Sequence, residues 1–393
     1  MHRRGVKTFG ILILFVLSAA EFACAQRWTQ TGAPARTWAA VASSADQSRL
    51  IAVSAMTGLS KGFYLSTNSG TTWTSLNSWY AGCVASSADG RFLVALSDKQ
   101  VITSTDYGNT WHLKIPVRPI GNWVSVASSA NGSNLVAATY EGFEPGLGGI
   151  FTSKDAGNTW VSNAVPPFGC YSVATSADGT ILIAASAFGI LISTNSATTW
   201  RTNMLLSGDS ISVASSADGK KLVAAVYGGK IYTSTNSGAV WRTNTAPVAN
   251  WEAVASSADG TKLVAGIFNG QIYSSTNSGT TWKTNNAPNN QWSSFAMSAD
   301  GNQIAAATDG YLDTGGIWVT QSIPKPKLNF AFSGGQAALS WLIPSTNFGL
   351  QESTDMVSWT DVTNSPTLNL MTLRNEVTLS PSGSSDFYRL ATP

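Results

Sequence analysis

Apolar residues along this chain fall in short runs separated by turn residues. The pattern is clearest between Trp251 and Pro288. Trp251 to Ser256 is an apolar and small-residue run ending at Ala258-Asp259-Gly260, and Lys262 to Ile267 is a second, closed by Asn269-Gly270. Gln271 to Ser275 is a third, ended by Asn277-Ser278-Gly279, and Thr281 to Thr284 is a fourth, followed by Asn285, Asn286 and Pro288. Such runs predict a meander of strands, because Gly, Asn and Asp supply the positive φ and local hydrogen bonds that tight turns need. The first run is rich in Ala and Ser, as a crowded innermost strand requires.

The same arrangement recurs. Ser-Ala-Asp-Gly or a close variant has its third position at Asp46, Asp89, Asn131, Asp178, Asp218, Asp259 and Asp300, spaced 40 to 47 residues apart. That spacing is the length of a four-stranded propeller blade, and the count predicts a seven-bladed β-propeller. The seventh unit runs through Ile304 to Ala307 and Ile317 to Thr320 and then has no fourth run. Trp28 stands before Pro34 as Trp241 stands before Pro247 and Trp282 before Pro288. The N-terminal segment Trp28 to Thr31 is therefore predicted as the outer strand of the seventh blade, closing the ring and removing an open edge.

The third turn of each unit carries a second motif. Ser275-Thr276-Asn277-Ser278-Gly279-Thr280-Thr281-Trp282 has counterparts ending at Trp73, Trp111, Trp160, Trp200 and Trp241. Its Asn or Asp accepts backbone N–H bonds, its Gly tolerates positive φ, and its Trp packs into the blade. The motif resembles the Asp box, or bacterial neuraminidase repeat, of sialidase-type propellers, a superfamily that includes photosystem II assembly factors. Asn68, Asn195, Asn236 and Asn277 replace the Asp that Asp106 and Asp155 retain, Ala197 stands where Gly is usual, and Val240 where Thr is usual. The resemblance covers residues 26–322 and implies an all-β fold.

Beyond Pro324-Lys325-Pro326-Lys327, read as a linker, further short strands are predicted over residues 328–332, 338–342, 348–352, 358–362, 376–379 and 387–390. With its Leu339-Ser340-Trp341 and Phe387-Tyr388-Arg389-Leu390 patches, this segment of 323–393 resembles the small β-sandwich tail of secreted bacterial proteins. At the other end, Arg3, Arg4 and Lys7, the apolar run Ile11 to Leu17 and Ala23-Cys24-Ala25 read as a signal peptide over residues 1–25. The expectation is export, to the periplasm, the medium or the cell surface. No later stretch is long enough for a membrane span.

Cleavage there would remove Arg3, Arg4, Lys7 and Glu21 and leave the two signs of charge balanced. Nucleic acid and anionic membrane are not expected partners, since both need a basic footprint. Cys83 and Cys170 lie two repeats apart and are read as unpaired, buried apolar residues. His112 is the single histidine left; one histidine builds neither a metal site nor a Ser/His/Asp triad, so no metal and no cofactor are expected. The expected oligomeric state is a monomer.

In a meander blade the Ser-Ala-Asp-Gly and box turns share one face. The loops from second to third strand, and from blade to blade, share the other. The resemblance to sialidases implies ligand binding at that second face through an arginine triad. Arg49, Arg91, Arg201 and Arg242 fall toward the first face and only Arg36 and Arg118 in ligand-side loops, so the triad is not met. A glycosidase would need two carboxylates. Ligand-side acids include Asp98, Glu141, Glu144, Asp209, Asp309 and Asp313, with Glu252 just inside a strand. Glu141, Glu144, Asp309 and Asp313, in the long loops of the third and seventh blades, are the candidate catalytic acids, against the reading that they simply face water. Trp38, Trp123, Trp251 and Trp292 stand three residues before Val41, Val126, Val254 and Phe295, with Tyr80 and Tyr171 at neighbouring positions. They are the candidate ligand-binding residues of an aromatic rim, against the alternative of interblade packing. The leading expectation is a non-catalytic propeller binding a glycan or a protein. The alternatives are a glycoside hydrolase related to sialidases or xyloglucan-cleaving propellers, and a scaffold like the assembly factors.

Overall fold

The computed structural model describes residues 27–55, 61–77, 79–97, 100–114, 122–140, 148–163, 169–186, 188–204, 211–310, 314–321, 328–333, 336–342, 349–354, 358–380 and 387–391. The described strands form seven four-stranded antiparallel sheets, the blades, and two further sheets near the C-terminus. Blade 1 spans residues 38–77, blade 2 83–114, blade 3 122–163, blade 4 170–204, blade 5 211–243 and blade 6 251–290. Blade 7 takes residues 292–321 and, as its outer strand, Arg27–Gln30 antiparallel to Ile317–Gln321. The molecule is a seven-bladed β-propeller closed by its N-terminal strand.

The blades are separate sheets, and apolar packing joins them. Each neighbouring pair shares one core, including blade 7 with blade 1, where Trp38, Val41 and Leu50 meet Ala305, Ala307 and Ile317. The second strands are buried, wholly so in five blades, as in Leu182–Ser186 and Leu222–Val226, and up to the last residue in Leu135–Tyr140 and Leu263–Ile267, because both faces meet neighbouring blades. Six box tryptophans cover the outer ends of six cores. In the seventh, between blades 6 and 7, Trp28 takes the corresponding place. The strand that closes the ring thus also supplies the tryptophan that blade 7 lacks.

A closed belt of backbone hydrogen bonds runs around the axis. The Ala of each Ser-Ala-Asp-Gly turn donates its N–H to the carbonyl of the next. The order is Ala45 to Ala88, Ala130, Ala177, Ala217, Ala258, Ala299 and back to Ala45, at 2.7 to 2.8 Å. Within each turn the buried Ser holds the Asp, or Asn131 in blade 3. Ser257 Oγ–H donates to Asp259 Oδ1 at 2.7 Å and accepts the Lys262 N–H at 3.0 Å. The motif is therefore turn chemistry and ring closure together, and its second position stays small because it lies at the axis.

The box turns follow the same logic. Asn277 Oδ1 accepts from Ser275 Oγ at 3.0 Å and from the Thr281 N–H at 2.9 Å, while Trp282 Nε1–H donates to the Gly279 carbonyl at 3.1 Å. Each turn carries two successive left-handed residues, such as Ser278 (φ 56°) and Gly279 (φ 80°). Ala197 adopts φ 67° where the other boxes use Gly. Asp106 keeps its carboxyl at about 2, held down first by the Thr110 side chain and then by the Thr110 backbone.

The C-terminal segment forms a four-stranded and a three-stranded sheet around Ala337, Leu339, Trp341, Leu350, Val377 and Leu379. Its short strand Thr367–Asn369, absent from the sequence reading, pairs with Arg374–Leu379 as a hairpin. Cys83 and Cys170 are free and buried, and burial raises both thiols, Cys170 to about 12. His112 is exposed on the outer strand of blade 2.

Candidate functional site

The meander places the second-to-third-strand turns and the blade-to-blade loops on the face opposite the alanine belt. Of the candidate residues on that face, Glu141, Glu144 and Asp313 lie outside the described residues, as do Asp98, Asp209 and Arg118. Trp38, Trp251 and Trp292 are wholly buried and Trp123 is 3 % exposed. All four lie in interblade cores, for example Trp251 edge-on to Tyr273 at 5.3 Å.

The three-residue spacing to the following Val or Phe has a physical cause. Residues three apart in a regular strand point to opposite faces. Here a bulge after the tryptophan, between Trp38 and Ala40, Trp123 and Ser125, Trp251 and Ala253, and Trp292 and Ser294, returns both residues to one core. The burial leaves these four indoles no open ring face for a ligand, which is the interblade-packing alternative.

The bulge also frees one residue in each of five inner strands from regular pairing: Ala39, Val124, Glu252 and Ser293, with Tyr171 at the same place in blade 4. Tyr171 is half-buried and packs on Tyr140 at 5.0 Å. Tyr80 is half-buried, with the Lys61 ammonium 4.4 Å from its ring centroid. Trp79, which the sequence places with Tyr80 near the aromatic rim, is exposed at 39 %; further aromatics on this face lie outside that reading: Phe188, exposed at 49 %, and the pair Tyr227 and Phe268, 6.3 Å apart. A repeat signal marks some of them. Tyr140, Tyr227 and Phe268 each stand five residues after the Leu that opens the second strand, at Leu135, Leu222 and Leu263.

A polar cavity of about 280 Å³ opens between blades 6 and 7, lined by Asn269, Asn289, Asn290, Gln291, Asp309 and Thr314. The blade 7 turn that forms one wall is pinned from both sides. The Asp309 N–H donates to the Gln291 carbonyl at 2.8 Å, and Thr37 Oγ1–H donates to the Gly310 carbonyl at 2.8 Å. The Arg36 N–H donates to the Gly315 carbonyl at 3.1 Å, and the Gly316 N–H to Thr308 Oγ1 at 2.7 Å. A Cβ on Gly310 would run into the Gly315 backbone, so the two limbs approach this closely only as glycines. Nearby, Arg36 Nη2 donates to the Tyr64 hydroxyl at 3.0 Å.

Asp309 is half-buried, and burial raises its carboxyl above the ordinary range. Glu252 on blade 6 is raised as well, by burial first and then by the charge of Asp309. The carboxylate within electrostatic reach of Asp309 is thus a neighbour across the blade 6–blade 7 junction, placed by the bulge after Trp251. In the sequence Glu252 stands just inside a strand, away from the candidate acids in the loops of blades 3 and 7. The site offers amide donors and acceptors, a carboxyl group and half-exposed aromatics on one face. That combination can bind a polar chain by hydrogen bonding and stacking. Among the described residues no group of three or more His, Cys, Asp or Glu could hold a metal ion.

No protein-family model matches the chain, and no curated protein matches it significantly. Solved structures do. One described as YCF48 bound to D1 peptide aligns with a TM-score of 0.57 at 16 % identity, over 76 % of this chain and 97 % of that one. The likeness is one of fold. A second is the GH74 xyloglucanase from Xanthomonas campestris, with a TM-score of 0.54 at 14 % identity, over 81 % of this chain. This chain spans 59 % of that enzyme's length.

Proposed function

We propose that this propeller is a non-catalytic binding protein that engages an extended segment of a partner protein through the face opposite the alanine belt. The observation that carries the reading is the amide-lined cavity between blades 6 and 7, on the same face as Trp79, Phe188, Tyr227 and Phe268. Asn and Gln side chains pair with peptide groups as donor and acceptor at once, and exposed aromatics supply apolar contact around them. The peptide held by the propeller of similar fold is in keeping with such a ligand. With the leader read over residues 1–25, the proposed site of action is outside the cytoplasm.

One observation favours a second reading. Glu252 and Asp309 are neighbouring carboxyl groups, each raised above its ordinary value, and a raised carboxyl is what a general acid needs. Peptide and glycan arrays probed with the wild-type protein and with Asp309→Ala, together with a product assay on the glycans, separate the two. Peptide capture lost in the variant, with no glycan product, supports the binding reading. Glycan cleavage abolished by Asp309→Asn or Glu252→Gln establishes the second.

A further inference from the structure

The innermost strands of the seven blades surround an axial channel, and one of its mouths lies on the face of the Ser-Ala-Asp-Gly turns. There the alanine N–H and C=O groups are already used in the belt, and the alanine methyls stand at the mouth beside serine and threonine residues of the inner strands. Alanines whose backbone groups are already paired can take an apolar side chain against their methyls without losing those hydrogen bonds. The side chain found there is Leu373, from the C-terminal domain. It packs with Ala45, Ala88, Ala258 and Ala299 and lines the axial cavity of about 180 Å³ with residues from all seven blades.

The hairpin that carries Leu373 is built to hold it out. Its limbs are Thr367–Asn369 and Arg374–Leu379. At the tip, Asn369 Oδ1 accepts the N–H groups of Met371 at 2.9 Å and Thr372 at 3.2 Å. Asn369 Nδ2–H donates to both oxygens of Glu376 at 3.2 Å, and Thr372 Oγ1–H donates to Glu376 Oε1 at 3.1 Å. Leu373 itself adopts φ 53°, a left-handed conformation that a bulky residue keeps only when its surroundings impose it. Two neighbours on the same hairpin, Leu368 at 41 % and Met371 at 52 %, stay exposed, whereas Leu373 is half-buried.

We propose that the C-terminal domain is a stopper. Its hairpin tip closes one mouth of the channel through Leu373, within the same chain, and makes the channel a blind well entered only from the opposite face. This goes beyond the binding reading and does not depend on it, since it concerns the other face and a different domain.

Hydrogen exchange on the full chain tests the stopper directly. In Leu373→Asp, the belt segments 43–45, 86–88 and 297–299 exchange at least about tenfold faster than in the wild type, while the second strand of blade 6 keeps its protection. A second measurement does not need that variant to fold well. Leu373→Cys reacts with a maleimide at least about fivefold more slowly than Leu368→Cys at neutral pH, at a rate independent of protein concentration. Cys83 and Cys170 are buried, and Cys24 is replaced by serine in both variants, so the comparison reads the introduced thiol. Unchanged belt exchange, equal labelling of the two cysteines, or protection that grows with protein concentration and so comes from a second copy, would each overturn the proposal.

Discussion

Trp28→Ala tests whether the N-terminal strand closes the ring. Trp28 is 8 % exposed, its ring centroid lies 5.9 Å from that of Trp292, and its Nε1–H donates to Asn285 Oδ1 at 3.1 Å. Truncating a buried tryptophan to alanine costs about 3–5 kcal/mol through lost transfer energy and the cavity left behind. The hydrogen bond adds about 1 kcal/mol. The expected loss is about 4–6 kcal/mol, a large part of the roughly 5–15 kcal/mol that holds a typical fold. Urea unfolding at constant temperature, followed by circular dichroism and by hydrogen exchange in the second strand of blade 7, reads it. Trp28→Phe keeps a ring against Trp292 and loses about 1–2 kcal/mol, mainly the hydrogen bond and part of the packing. A loss below about 1 kcal/mol for Trp28→Ala would refute the reasoning, because a dispensable Trp28 cannot be sealing the blade 6–blade 7 core.

Three other outcomes follow from the same geometry. Ala197→Gly stabilises the protein by about 1 kcal/mol in thermal or urea unfolding, since it relieves an alanine held at φ 67° and keeps the hydrogen bond that the backbone N–H of this position donates to Ser193 Oγ. Ser257→Ala, at a wholly buried serine, removes the bond to Asp259 and strands the Lys262 N–H, for a loss of about 2–3 kcal/mol by the same measurement. Glu252 titrates above its ordinary value of 4.5, so the folded protein binds that proton more tightly than the unfolded chain. The stability this provides is complete below the ordinary value and is lost as pH rises through the raised one. Glu252→Gln is therefore more stable than the wild type at neutral pH, and the difference closes toward about pH 3, in unfolding measured across that range.

The fold was legible because its signals are local and repeated. Turn residues at fixed offsets define the strands, and Trp28 before Pro34 repeats the spacing of Trp241 and Trp282, which places the N-terminal strand in blade 7. The alanine belt was not legible, since a backbone hydrogen bond between turns some 41 residues apart leaves no side-chain mark beyond a small residue. The bulges were equally hidden. A Trp three residues before a Val reads as two faces of a strand, and only the extra residue reveals that Trp251 and Val254 share a core. The same bulge brings Glu252 within reach of Asp309 across two blades, a proximity no linear spacing could suggest. Leu373 was invisible for a different reason: its contacts lie on residues spread from Ala45 to Ala299.

The central claim is that the amide-lined cavity between blades 6 and 7 binds a protein segment without turnover. The most direct measurement is peptide-array binding by the wild type beside Asn290→Ala, Asp309→Ala and, on the opposite face, Asp106→Asn. The account predicts that the first two variants lose the peptides the wild type captures by about tenfold or more, while Asp106→Asn retains them. Peptide capture unchanged in both cavity variants, or lost only in Asp106→Asn, would contradict it.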